Sequence, residues 1–406
     1  MEIFKKVFHQ LSWQMGAKVI SASSTIFLLS IITRSFGEDG TGVYTLALTY
    51  LAFFYLAADL GLNGFYLSNY RDDPLLANKI YNFRLGWSFV LFICAVFILP
   101  LLPFATTEFI LTVLIGGLTI VLNGIFNSTN FVFQHHLAYS KSSQALAAGS
   151  VVSLAVAYIL STWGMPIYYF SLAPLLGWIV TVGICYLAVR NFYIFRLTKP
   201  DWFFPVETLR TAWPVAATLV VNTLYFRIDS FILSSTQTFA TVGAYNLAYQ
   251  IFQNILVIPA FIMNGYYPLM LKSIKDNPAV FRSHFRKAIF LMIFLGVFGF
   301  LSLFYLADFF IAVLTGKGFD GAVTTLHILA TSLPAFFLSA LLMWLMMAKK
   351  LYKALLMVYL TAFLVNFLAN WYFIPVYSYI AASWVTVASE YLILLLQVHI
   401  LYRSRT

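Results

Sequence analysis

The stretch Asn222 to Leu271, NTLYFRIDSFILSSTQTFATVGAYNLAYQIFQNILVIPAFIMNGYYPLML, reads as two long apolar segments joined by a short polar turn. Its first segment nevertheless carries Arg227 and Asp229. Charges at membrane depth are costly, and where they occur they usually serve function. A weaker copy of the stretch lies early in the chain, where Gly42-Val43-Tyr44-Thr45-Leu46-Ala47 matches Gly243-Ala244-Tyr245-Asn246-Leu247-Ala248 with four identities. The offset of 201 residues is about half of the 406-residue chain, the signature of an internal repeat.

Composition agrees with a membrane setting. Hydrophobic residues make up 62% of the chain and charged residues 9%, with a mean hydropathy of +0.87. A water-soluble core could not absorb that much apolar surface. Apolar runs of about 20 residues recur without strand-like alternation, so the expected fold is an all-α integral membrane protein rather than a barrel. Twelve candidate spans fall near residues 12–36, 42–67, 83–104, 108–134, 143–163, 167–189, 211–235, 241–268, 287–311, 322–347, 354–375 and 379–402.

The net charge of +10 does not point to nucleic acid, because the basic residues alternate by side. With the N-terminus cytoplasmic, the inner loops receive Lys5, Lys6, Arg71, Lys79, Arg84, Lys141, Arg190, Arg282, Arg286, Lys349 and Arg403, among others. The outer loops receive only Arg34 and Lys317. This asymmetry puts both termini inside. Cys94 and Cys185 fall in separate spans and give no disulfide framework. The basic start runs straight into a full-length span, unlike a signal peptide.

Six spans precede and six follow the most polar connector, Arg190 to Arg210. The expected organisation is an N-terminal lobe 1–190, a cytoplasmic linker 191–210 and a C-terminal lobe 211–406. An even number of spans per lobe makes the repeats parallel, related by a pseudo-twofold axis along the membrane normal. In span 1, Gln14, Lys18, Ser21 and Thr25 form a polar stripe. Span 7 repeats its spacing as Thr218, Asn222, Tyr225 and Asp229. Spans 2 and 8 carry matching stripes, Thr45, Thr49, Asp59 and Asn63 against Asn246, Gln250, Gln253 and Asn264. Such faces either line a hydrated cavity or knit helices together. The further stripe Asn123, Asn127, Asn130 and Gln134 in span 4 reads as packing.

Several charges fall inside spans. Depth along the helix makes Lys18 and Asp59 candidates for a pair, either a structural bridge or a substrate or ion site. Arg227 and Asp229 point apart on a regular helix, so Arg227 is either a phosphate ligand or a structural residue within its lobe, unless the helix unwinds there. Glu390 suits ion coupling or buried packing, and Arg34 suits the outer mouth or headgroup anchoring. No Walker loop, metal-ligand spacing or catalytic cluster is present, and external loops are too short to carry a catalytic domain. No catalytic residue, resident cofactor or metal is therefore expected, and the chain reads as a secondary transporter rather than an enzyme.

The segments Thr33-Arg34-Ser35-Phe36-Gly37, Gly42-Val43-Tyr44 and Asp59-Leu60-Gly61-Leu62 resemble the start of Wzx-type polysaccharide flippases of the multidrug/oligosaccharidyl-lipid/polysaccharide exporter superfamily. Arg227-Ile228-Asp229, Val242-Gly243-Ala244-Tyr245, Ala248-Tyr249 and Tyr267-Pro268 resemble the second-lobe pattern. The resemblance implies alternating access that carries a polyprenyl-diphosphate oligosaccharide, as for O-antigen, from the inner to the outer leaflet of the cell membrane. Lys18, Arg34 and Arg227, with Asn222, Gln250 and Gln253, would receive the substrate; Asp59, Asp229 and Glu390 would couple H+ or Na+ or form charge pairs. Membrane lipids and other polysaccharide-assembly proteins would be the partners. The alternative is a drug/cation antiporter of the same superfamily. The family's basic lumen is only half matched here, since Lys18, Arg34 and Arg227 face Asp59, Asp229 and Glu390 in number.

Overall fold

The computed structural model describes residues 2–59, 62, 63, 66, 74–136, 138–201, 220, 221, 223–276, 278–316 and 319–403. Asn222, residues 202–210 of the connector and the first part of span 7 lie outside the described residues. All regular structure within them is helical. Among the described residues, eight helices are long and apolar enough to cross a membrane, or nine when one bent pair is taken as a single span.

The two longest helices each hold two spans, which brings the number to eleven; the remaining expected span, the seventh, lies partly outside the described residues. Helix α1, Glu2–Asp59, has 58 residues and contains Gly37 at φ 66°, ψ −159°. A straight helix of that length would run about 87 Å, roughly twice the thickness of a bilayer with its headgroups. It does not run straight, because Leu28, Ile32, Tyr44, Phe36 and Leu48 all belong to one apolar cluster. Positions 28 and 48 would be about 30 Å apart on an unbroken helix. Glycine supplies the positive φ that this reversal needs.

Helix α12, Tyr352–Arg403, repeats the device at Ser378, φ 55°, ψ −141°, where Ala362 and Ile393 share a cluster across the turn. Each long helix is therefore a hairpin of two spans. The breaks fall between the first and second and between the last two candidate spans, as the hydropathy predicts.

Between them run α2 (Pro74–Ile98), α3 (Thr107–Gly117), α4 (Thr119–His135), α5 (Tyr139–Thr162) and α6 (Leu172–Val189). They are followed by α7 (Ile228–Thr236), α8 (Phe239–Asp276), α9 (Pro278–Thr315), α10 (Asp320–Ala330) and α11 (Leu333–Ala348). The fourth span is interrupted at Leu118 between α3 and α4. The tenth is bent by 48° between α10 and α11, where Pro334 opens the second piece. One correction concerns the third span. It begins near residue 75 and not 83, so Arg84 is no loop residue but lies about 15 Å inside α2.

The chain forms two compact units, Met1–Thr223 and Leu224–Thr406. In the first, α5 and α6 meet at Gly149 and Gly177, where a Cβ on either glycine would strike the other's backbone carbonyl. Small residues allow such backbone approach, and dispersion then holds the helices together. Thr181 adds hydrogen bonds to the carbonyls of Ala145 and Gly177 at 3.2 and 2.9 Å. The repeat also survives in three dimensions within each unit. Tyr44, Leu46 and Ala47 are buried in the first as Tyr245, Leu247 and Ala248 are in the second.

Candidate functional site

Two buried polar clusters, one per unit, stand out from the apolar helices. The first gathers on Arg84. Its guanidinium is fully buried, and its Nη2 lies 3.2 Å from Asp59 Oδ1, whose side chain keeps 24% exposure. Nη2 also donates to the Asp59 carbonyl at 3.2 Å and to Asn63 Oδ1 at 3.1 Å, while Nη1 reaches Ser128 Oγ at 3.4 Å. The Phe131 ring lies 5.9 Å away, and Nε has no hydrogen-bond partner among the described residues. Neighbouring bonds from Tyr50 to the Ala95 carbonyl and from Trp87 to the Ala57 carbonyl, 2.6 and 2.9 Å, fix α2 antiparallel to the second half of α1. Asp59 is thus a charge pair, but its partner is Arg84 and not Lys18. Lys18 and Arg34 sit exposed on the first half of α1.

The second cluster joins α7, α8 and α12. Helix α7 starts at Arg227, whose φ −134°, ψ −15° is non-helical, with Arg227 N bonded to Leu224 O at 3.1 Å. The seventh span is therefore unwound at the point where regular geometry would have pointed Arg227 away. Its charge acts on both Asp229 and Tyr249. Asp229 is buried in the first turn of α7, accepts from Ser230 N at 2.7 Å and accepts from the Tyr245 hydroxyl. A carboxylate in a helix's first turn meets unpaired N–H groups and the positive end of the dipole. Ser230 donates to Asn246 Oδ1 at 2.7 Å.

Glu390, one layer along α12, is buried and takes hydrogen bonds from Ser339 and from Tyr225 at 3.4 Å. Gln250 and Gln253 are half-buried on the neighbouring turns of α8. A further chain runs from Asn370 to Asn366 at 3.0 Å and from Asn366 to Ser389 at 3.2 Å, leaving Asn370 Oδ1 without a donor among the described residues. Hydroxyl and amide groups around two carboxylates can stabilise either protonation state or exchange a proton for a small cation. The described residues hold no group of three or more His, Cys, Asp or Glu side chains suited to a tightly bound metal.

Residues 4–324 match the family model described as polysaccharide biosynthesis protein. The chain belongs to that family. No curated protein matches the sequence. Among solved structures, this family member is similar to the lipid II flippase MurJ in an inward closed conformation, with a TM-score of 0.79 at 14% identity over 96% of this chain and 87% of that one. It is also similar to an inward-facing multidrug resistance MATE family transporter of the MOP superfamily, with a TM-score of 0.67 at 14% identity over 97% and 94% of the two chains. A MOP superfamily transporter from Pyrococcus furiosus gives a TM-score of 0.65 at 12% identity over 99% and 95%. These likenesses establish the fold of an MOP-type membrane transporter.

Three participants escaped sequence reasoning in this polysaccharide biosynthesis protein. Arg84 could have been found from Pro74, a favoured first-turn residue that starts α2 early enough to carry Arg84 into the membrane. Tyr245 stood in the repeat motif, but nothing there names its carboxylate partner. Ser339 carries no signal beyond being a hydroxyl in an apolar run.

Proposed function

We propose that this chain is a flippase that moves a polyprenyl-diphosphate-linked oligosaccharide from the inner to the outer leaflet of the cell membrane by alternating access, without chemical change to the lipid. The observation that carries this reading is the family match across residues 4–324, on a fold that follows a lipid II flippase along 96% of the chain. We place both termini in the cytoplasm on the charge asymmetry of the loops, and take 191–210 as the linker between lobes 1–190 and 211–406.

Lys18, Arg34 and Arg227 are the cations proposed for the diphosphate, with Asn222, Gln250 and Gln253 for sugar hydroxyls. Arg227 is the strongest of these because it stands at an unwound turn and carries a planar guanidinium suited to two phosphate oxygens. Asp229 and Glu390 are proposed to take the coupling ion, H+ or Na+, since each is a buried carboxylate that accepts from a hydroxyl on another helix. Asp59 is committed to Arg84 and serves as a structural pair.

The test compares purified wild type and Arg227→Ala for binding of a polyprenyl-diphosphate oligosaccharide and of cationic dyes. Selective binding of the diphosphate lipid, weakened by the substitution, is expected. Selective dye binding that ignores Arg227 would replace this reading with a drug/cation antiporter.

A further inference from the structure

Helix α9 and helix α11 run antiparallel and pack closely at Gly296, where an added Cβ would stand 2.8 Å from Pro334 Cα. About ten residues further toward the ends that carry Arg282 and Lys349 they no longer fill the space between them. A cavity of about 830 Å³ opens there between the start of α9, the end of α11 and the end of α12. That volume lies in the range of ligand pockets, roughly 300–1,000 Å³.

Its lining has two chemistries. Phe285, Ile289, Leu342, Leu345, Val398 and Leu401 make apolar walls, and no acidic side chain of the described residues joins them. Arg282, Arg286 and Lys349 provide the charge. Arg282 and Arg286 are one helical turn apart and therefore share a face. Neither has a hydrogen-bond or ion-pair partner among the described residues, and both are exposed at the rim. Phe281 and Phe285 stack on the adjoining stripe, with ring centroids 5.4 Å apart.

Beyond the cavity, α9 continues as an apolar face. Phe290, Phe294, Phe298 and Tyr305 are all exposed, as befits a helix in contact with acyl chains. The groove thus leads from Arg282 and Arg286 into a surface already suited to hydrocarbon. Basic pockets between helices on the cytoplasmic side suit anionic lipid headgroups.

We propose that this groove binds an anionic phospholipid of the cytoplasmic leaflet, its phosphate on Arg282, Arg286 and Lys349 and its chains along Phe290 and Phe294. The cytoplasmic placement rests on the orientation proposed above, whereas the binding does not depend on flippase activity. A resident bilayer lipid fits better than the transported diphosphate, because the cations stand at an open rim where a headgroup stays hydrated. Held there, the lipid ties the ends of three helices together.

Native mass spectrometry of the full chain in detergent, titrated with phosphatidylglycerol or phosphatidylcholine, tests the assignment. Wild type should bind a first phosphatidylglycerol in preference to phosphatidylcholine. The double variant R282Q/R286Q should bind it about 30-fold more weakly. Charge-preserving R282K/R286K should retain binding, and Lys353→Gln, an exposed cation outside the groove, should leave it unchanged. Equal binding of the two lipids by wild type, or undiminished phosphatidylglycerol binding by R282Q/R286Q, would overturn the proposal. Stoichiometric displacement by a polyprenyl diphosphate would do so too, and would give the groove to the transported lipid.

Discussion

Truncating Asp59 to alanine should damage the first unit more than truncating its partner. Arg84 has no exposed surface, and its other acceptors, the Asp59 carbonyl, Asn63 Oδ1 and Ser128 Oγ, are all neutral. Asp59→Ala therefore strands a buried guanidinium, for which about 3–5 kcal/mol is the usual cost. Arg84→Met removes the charge yet keeps the length of the stem, and the remaining carboxylate, 24% exposed, still reaches water. Its cost should be nearer 1–2 kcal/mol, the order of a lost charged hydrogen bond. The double variant Asp59→Leu with Arg84→Met replaces the pair by apolar volume and should recover most of the loss.

The chain carries its own probe for this comparison. Cys185 is fully buried in the cluster that holds Phe83 and Phe131, next to Arg84, whereas Cys94 is exposed. In a Cys94→Ser background, a thiol-reactive fluorophore labels Cys185 only as this unit opens. At about 2–4 °C per kcal/mol for a unit of this size, Asp59→Ala should melt about 10 °C below the parent. The reasoning fails if Asp59→Ala melts within about 1 °C of the parent, or if the double variant melts as low as the single one.

The second unit and the two hairpins give further tests. Tyr245→Phe removes the hydroxyl that donates to Asp229 and should destabilise by about 1–3 kcal/mol, while Asp229→Asn retains an acceptor for Tyr245 and should lose less than about half of that; thermal melts of both variants decide the order. Gly37→Ala meets no neighbour within 4 Å and is opposed only by its φ of 66°, so a loss of about 1–2 kcal/mol is expected. Ser378→Gly, at φ 55°, should instead leave the melting temperature unchanged or raise it; a clear fall would show that the Ser378 side chain itself holds the turn.

What the sequence made legible was mostly what the bilayer dictates. Apolar run length is set by membrane thickness, so both hairpin turns were located to within a few residues of Gly37 and Ser378. Side-chain partners were less legible, because charge can be hidden by pairing. Arg84 looked like a loop residue because the third span was expected to start near residue 83, and nothing in a linear chain names Asp59 as its partner. At Arg227 the sequence allowed two cases, a regular helix or an unwound one, and the backbone takes the second, leaving helical geometry at that residue. The bonds from Tyr245 to Asp229 and from Ser339 to Glu390 join separate helices, which no local pattern reports.

The matched burial of Tyr44 and Tyr245 means that the molecule contains its own reference experiment. Both tyrosines occupy the same step of a duplicated helix, yet the position that holds Asp229 in one copy holds Thr25 in the other. An identical substitution in each copy subtracts helix context, solvent and detergent alike. What is left over is the contribution of a single hydroxyl–carboxylate bond, isolated by an ancient duplication rather than by a designed control.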